Sequence, residues 1–182
     1  MQIFHLRSLT LIIALVFPCL PTAHAASKVE IDAGVKAALS VFYVQVKSGK
    51  ELAKKAEGML VFPEVYKGGV VVGGEYGEGA LLVKGKTKGY YSTVAGSVGF
   101  QLGAQIKSQV ILFMTKKALN DFRRSNGWKV GADGSVAIAS LGAGGSVDTE
   151  TAKEPVIGFI FSNKGLMYNL TFEGAKISKI KK

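Results

Sequence analysis

The chain has 182 residues, 48% of them apolar, and a formal charge of +10 at neutral pH. That length and apolar share suit one globular domain with its own core and exclude a disordered, highly charged chain. Its basic residues are mostly Lys rather than Arg, which suits diffuse attraction to an anionic surface better than bidentate recognition of a single group.

Residues 1–25 differ in kind from the rest. Arg7 is followed by the apolar run Leu9 to Phe17 and by Ala23-His24-Ala25, the small-x-small pattern of a secretory leader cleaved after Ala25. The run is too short to cross a bilayer comfortably. Cys19 follows it, but Val16-Phe17-Pro18 lack the small residues of a lipidation site. The expectation is an exported, periplasmic protein whose mature part is a single domain over residues 26–182, with 22 basic and 13 acidic residues and a charge of +9.

Cleavage would remove Cys19 and both histidines, His5 and His24. The mature chain then lacks the groups for a Ser-His-Asp or Cys-His nucleophile, a disulfide, a Cys/His zinc site or a switch near neutral pH. No enzyme, cofactor or metal is expected. An exported basic protein meets anionic lipid headgroups and little nucleic acid, so a membrane surface is the expected partner and nucleic acid is not.

After the leader, Val29 to Val46 repeats apolar residues at Ile31, Val35, Ala38 or Leu39, Phe42 and Val46, the spacing of an amphipathic helix. Its stripe either packs on the domain's own sheet or, with Phe42 and Tyr43 beside lysines, lies on a membrane. Ser48 and Glu51 suggest a capping box for a second helix, Lys50 to Ala56, ended by Gly58.

From Gly58 to Gln105, apolar β-formers alternate with glycines, a mixture that disfavours helix and suits curved strands. The spacing predicts a strand from Met59 to Phe62 stopped by Pro63, a turn at Lys67-Gly68-Gly69, and a strand from Val70 into Gly73-Gly74. It further predicts a glycine-rich corner before Tyr76 to Val83, and a hairpin tip over Gly85-Lys86-Thr87-Lys88-Gly89. Tyr90 to Gln105 reads as one long kinked strand or a pair, and Val110 to Met114 as another.

Thr115 to Ser125 reads as a short surface helix capped by Thr115. Trp128 to Val130, Ser135 to Leu141, Val156 to Phe161 and Leu166 to Leu170 are strand candidates, the last two forming a hairpin. Helices and strands are segregated along the chain, so the expected class is α+β: a curved, mainly antiparallel, glycine-rich sheet approaching a barrel, with N-terminal helices and one short surface helix.

Three motifs fail on spacing. Gly85-Lys86-Thr87 lacks the earlier glycine of a phosphate-binding loop, because position 80 is Ala80. Gly73 to Gly79 has the wrong glycine order for a dinucleotide fingerprint. Glu75 with Glu78, or Asp148 with Glu150, has no spacing that fixes two carboxylates across a cleft. The lysines remain, in groups at Lys50, Lys54, Lys55 and Lys67, at Lys84, Lys86 and Lys88, and at Lys176, Lys179, Lys181 and Lys182. Each group alone is an ordinary solvated face, but two groups on one side would form a site for anionic lipid.

Ala56-Glu57-Gly58, Val61-Phe62-Pro63-Glu64-Val65, Lys67-Gly68-Gly69, Val72-Gly73-Gly74, Tyr76-Gly77-Glu78-Gly79, the run Gly96 to Gln105 and Gly165-Leu166 stand in order along the chain. In these segments the chain resembles the SYLF domain, also called the yeast-type actin-binding domain, and within it the exported bacterial branch. The resemblance spans nearly all of the mature chain. It implies binding of phosphoinositides or other acidic phospholipids through lysines and an amphipathic N-terminal helix, and, in fungal members, binding to actin filaments.

By position it assigns Lys54 or Lys55, before the Ala56-Glu57-Gly58 step, and Lys67 of Lys-Gly-Gly. Many members have an acidic residue where this chain has Lys107-Ser108-Gln109. In an exported protein, actin and phosphoinositides are out of reach, which points to another anionic lipid. The expected reading is a non-enzymatic envelope module that binds anionic phospholipid through Lys50, Lys54, Lys55 and Lys67, with Phe42 of the helix adding apolar area. The alternatives are an adaptor that binds another envelope protein, and a curved sheet that encloses an apolar ligand.

Overall fold

The computed structural model describes residues 25–69, 72–98, 103–139, 147–162, 165–166, 172 and 174–182. Residues 1–24 of the expected leader, the end of the strand expected over Ser135 to Leu141, the 142–146 segment after it and residues 167–170 of the last expected strand lie outside them. Helix α1 (Lys28–Gln45) and α2 (Gly49–Lys55) precede four long strands, β1 (Gly58–Gly69), β2 (Val72–Val83), β3 (Lys86–Val98) and β4 (Gly103–Phe113). Helix α3 (Lys116–Arg124) follows, then the short β5 (Trp128–Lys129) and β6 (Ala137–Ile138), the longer β7 (Val156–Ser162), β8 (Gly165–Leu166) and β9 (Lys176–Ile180).

The strands form one sheet of order β5-β9-β3-β2-β1-β4-β7-β6, with β8 beside β7. All pairings are antiparallel except β6 with β7. The sheet curls into a half-barrel. Strands near both ends of this order send side chains to one shared core, Trp128 and Ile177 on one flank and Val156 and Ile160 on the other, with Leu119 and Phe122 of α3 among them. That core is the inside of the curl. On the outside, Ile31, Val35, Ala38 and Phe42 of α1 pack on Val61, Ala80, Leu82, Val110, Leu112 and Phe159. Each large apolar side chain so buried contributes about 1.5–3 kcal/mol, so the stripe of α1 is committed to the sheet.

Several local expectations change. The capping box forms at Ser27 and Glu30, where Ser27 N–H donates to Glu30 Oε2 (2.7 Å) and Glu30 N–H to Ser27 Oγ (3.3 Å). Ser48 makes no such bond: its backbone is already helical (φ −77, ψ −4), and a capping residue needs an extended backbone to aim its oxygen. Gly58 does not end α2, which stops at Lys55, but opens β1.

Pro63 does not stop β1. The strand runs to Gly69, and Pro63 sits in a bulge where the register shifts on both sides, the place at which a missing N–H costs no ladder bond. Lys67 to Gly69 is therefore paired strand rather than turn, and Gly73 to Gly79 is continuous strand rather than a corner. Gly79 is required because the bulged backbone leans on β2: a Cβ there would overlap Val61 O and lie 2.7 Å from the Phe62 ring. The β2–β3 turn is Lys84-Gly85, both with positive φ (50 and 71), a tighter tip than the five-residue one expected. Strand β9, hidden in the lysine-rich C-terminal stretch, pairs with β3 and β5.

Candidate functional site

The register brings one end of each central strand together. Gly58 pairs with Phe113, Met59 with Leu82, and Val83 with Lys86, so the start of β1, the end of β2, the start of β3 and the end of β4 meet at one edge. Three basic segments distant in sequence project from it. Lys54 and Lys55 close α2, Lys84, Lys86 and Lys88 belong to the β2–β3 hairpin, and Lys116 and Lys117 open α3; all of them are exposed.

The hairpin is braced from the outer face: Asp32 of α1 accepts from Thr87 Oγ1 (3.1 Å) and from Tyr90 OH (3.0 Å). Helix α3 is fixed by Thr115, whose Oγ1 accepts from Ala118 N–H at 3.1 Å. Cations in the first turn of a helix oppose its dipole by about 0.3–1 kcal/mol each. Lys116 and Lys117 therefore do not serve the helix. Lys117 is partly offset by Asp121 four residues on, at 2.6 Å.

The expected site residues divide among three places. Lys50, Lys54 and Lys55 are exposed on α2, whose last residue stands three positions before Gly58 at the start of β1. Lys67 lies near the other end of β1, nine residues beyond Gly58 and so about 30 Å away along the strand; the structure does not bring it to the lysines of α2. Phe42 is buried, edge-on to Phe159 with ring centroids 4.8 Å apart, and contributes to the core rather than to a surface.

Lys67 has a different role. On the inside of the curl it lies 3.4 Å from Glu75 Oε1, and the fully buried Lys107 lies 2.7 Å from Glu75 Oε2. The register sets this cluster: Lys67 is opposite Glu75, and Lys107 is opposite Val65, two residues before Lys67 on the same face. One carboxylate thus holds two ammonium groups. Among the described residues Lys107 Nζ completes no hydrogen bond, so Glu75 is its charge compensation.

A second carboxylate ties Ala26, just before α1, to Lys182, just after β9. Glu78 Oε2 accepts from Lys182 Nζ (2.7 Å) and Ala26 N–H (3.1 Å), and Oε1 from Tyr76 OH (2.8 Å). Burial pushes the Glu78 carboxyl up, but the bonds from Lys182, Tyr76 and Ala26 together outweigh it and hold the group below its usual range. Partial burial, and after it the same bond to the Glu78 carboxylate, push the Tyr76 hydroxyl up to about 12.

The lysines that sequence reading missed had visible signals. Lys-Lys directly after a helix-capping Thr is electrostatically misplaced for a helix, and Lys107 stood out as a departure from the resembled pattern. Among the described residues no three His, Cys, Asp or Glu side chains group as metal ligands, and no helix is long and apolar enough to cross a membrane. Residues 94–182 match the family model described as Ysc84, Las17-binding protein actin regulator. No curated protein matches the chain.

Proposed function

We propose, from the match of residues 94–182 to the Ysc84 (SYLF) family, a family of lipid- and actin-binding domains, a non-enzymatic module that docks on anionic phospholipid. The docking surface is the lysine-bearing edge of the sheet, and the proposed setting is the cell envelope, reached by export.

The observation that carries this reading is the convergence of α2, the β2–β3 hairpin and the start of α3, three basic segments distant in sequence, on one edge. A lysine near an anionic membrane surface contributes about 1 kcal/mol, so several acting together give useful affinity where one gives none. Export keeps actin out of reach and leaves anionic phospholipid as the family ligand that the protein meets.

The test is co-sedimentation with vesicles of phosphatidylglycerol and phosphatidylcholine, comparing the natural chain with Lys84→Glu/Lys86→Glu/Lys88→Glu and with Lys54→Glu/Lys55→Glu. Each variant should bind markedly less, and the natural chain should release in high salt, since screening acts strongly on exposed charges. Binding that is unchanged in both variants contradicts the assignment.

A further inference from the structure

The opposite half of the outer face carries a surface that the lipid reading does not use. Ile106, Tyr66, Tyr76 and Val94 lie directly opposite one another on β4, β1, β2 and β3, forming one unbroken row across adjacent strands. They are 54%, 52%, 50% and 50% exposed. Each tyrosine hydroxyl donates to a carboxylate two residues away on its own strand, Tyr66 to Glu64 (2.5 Å) and Tyr76 to Glu78 (2.8 Å). These bonds lay the rings along the strands and fix them there, so the row is preorganised rather than loose.

Beyond the row comes a shelf with almost no side chains. Gly68, Gly74 and Gly96 are the next residues opposite one another on the same face. A Cβ added at Gly68 or Gly96 would meet nothing within 4 Å, and at Gly74 only Ala95 O at 3.8 Å. Glycines in line across strands mark places where another backbone approaches closely, and here nothing described fills the space.

The dimensions select the occupant. Helix α1 crosses the strands on this same face, from Asp32 at Tyr90 through Gly34 against Pro63 to Phe42 at Phe159. The apolar row begins three residues past Pro63 on β1, about 10 Å along the strand, and helices packed side by side stand 8–10 Å apart. The row spans three inter-strand gaps, about 14 Å, which matches roughly nine residues of helix. Between the row and α1 run Glu64, which is exposed, and Glu78.

We propose that this slot beside α1 docks an amphipathic helix of a partner protein, its apolar stripe on Tyr66, Tyr76, Ile106 and Val94 and a Lys or Arg on its flank facing Glu64. The site is independent of the lysine edge, so both surfaces work at once and the domain bridges an anionic membrane to a helix-bearing protein.

The test is an amide-resolved NMR titration with a Leu/Lys amphipathic peptide about three turns long and with its Leu/Glu counterpart. The Leu/Lys peptide should shift the amides of Tyr66, Tyr76, Val94 and Ile106. Binding should weaken at least tenfold in Gly96→Leu, which fills the open shelf without touching the core, and in Tyr66→Ser, and should survive Lys84→Glu/Lys86→Glu/Lys88→Glu. Equal binding of the Leu/Glu peptide, or shifts centred elsewhere, overturns the proposal. So does binding of the natural chain to pure phosphatidylcholine vesicles that Tyr66→Ser abolishes, which would assign the row to a bilayer. Self-association lost in Gly96→Leu would assign it to a second copy and overturns it equally.

Discussion

Replacing Gly79 with Ala adds one methyl group to a strand, a change that ordinarily favours folding by restricting the unfolded chain. Here the methyl would overlap Val61 O and stand 2.7 Å from Phe62 Cδ1 and 2.8 Å from the Val61 carbonyl carbon. Two of these obstacles are backbone atoms of the β1 bulge, held on their other side by β4, so relief requires the bulge to move. Overpacking of this kind costs about 1–3 kcal/mol, and backbone obstruction sets it at the upper end. For a chain of this size about 3 kcal/mol lowers Tm by roughly 6–12 °C. Gly68→Ala is the matched control, since its methyl meets nothing within 4 Å and should stabilise by about 0.4–1 kcal/mol. Urea and thermal unfolding followed by circular dichroism measure both. Similar effects for the two substitutions would refute the claim that the bulge at Pro63, rather than strand curvature in general, is what demands glycine on β2.

Ser27→Ala should destabilise by about 0.5–2 kcal/mol through loss of the α1 cap, measured by urea unfolding, whereas Ser48→Ala should not. Glu75→Gln should cost about 3–5 kcal/mol because it leaves Lys107 buried without a counter-charge, and Lys107→Met should cost less; equal losses would contradict the ion cluster. Because the Glu78 carboxyl is held below its ordinary value of 4.5, its stabilisation is complete above that pH and fades as the pH falls below it. Acid unfolding of Glu78→Gln should therefore begin from lower stability and fall less steeply. Tyr76, raised from 10.0 to about 12, stabilises the folded state below pH 10 and loses that contribution as the pH rises toward 12; a tyrosinate absorbance titration should lose its latest component in Tyr76→Phe.

The α+β class and the mainly antiparallel sheet were legible because apolar period and segregation along the chain are local signals. The α1 stripe was legible in the same way, though not its destination: only the packing of Phe42 on Phe159 distinguishes a core stripe from a membrane stripe. Pro63 and the glycines of β2 misled for one shared reason. A bulge and the close approach it forces are properties of two strands together, and neither strand's sequence announces the other. Lys67 illustrates the same limit. Its neighbours in sequence suggested a surface group with Lys54 and Lys55, while the register placed it against Glu75 and Lys107 at the far end of the sheet. Lys116 and Lys117 joined the candidate site only once the end of β4 was found beside the start of β1.

The most direct test asks which end of the sheet meets lipid. The chain's one cysteine, Cys19, is replaced by Ser, and a polarity-sensitive dye is attached at Lys88→Cys on the hairpin or at Gln105→Cys toward the opposite end. On adding phosphatidylglycerol vesicles at low salt, the hairpin dye should shift to the blue and the Gln105→Cys dye should not. A blue shift confined to position 105, or none at either position while the protein sediments with the vesicles, would contradict docking through the lysine edge.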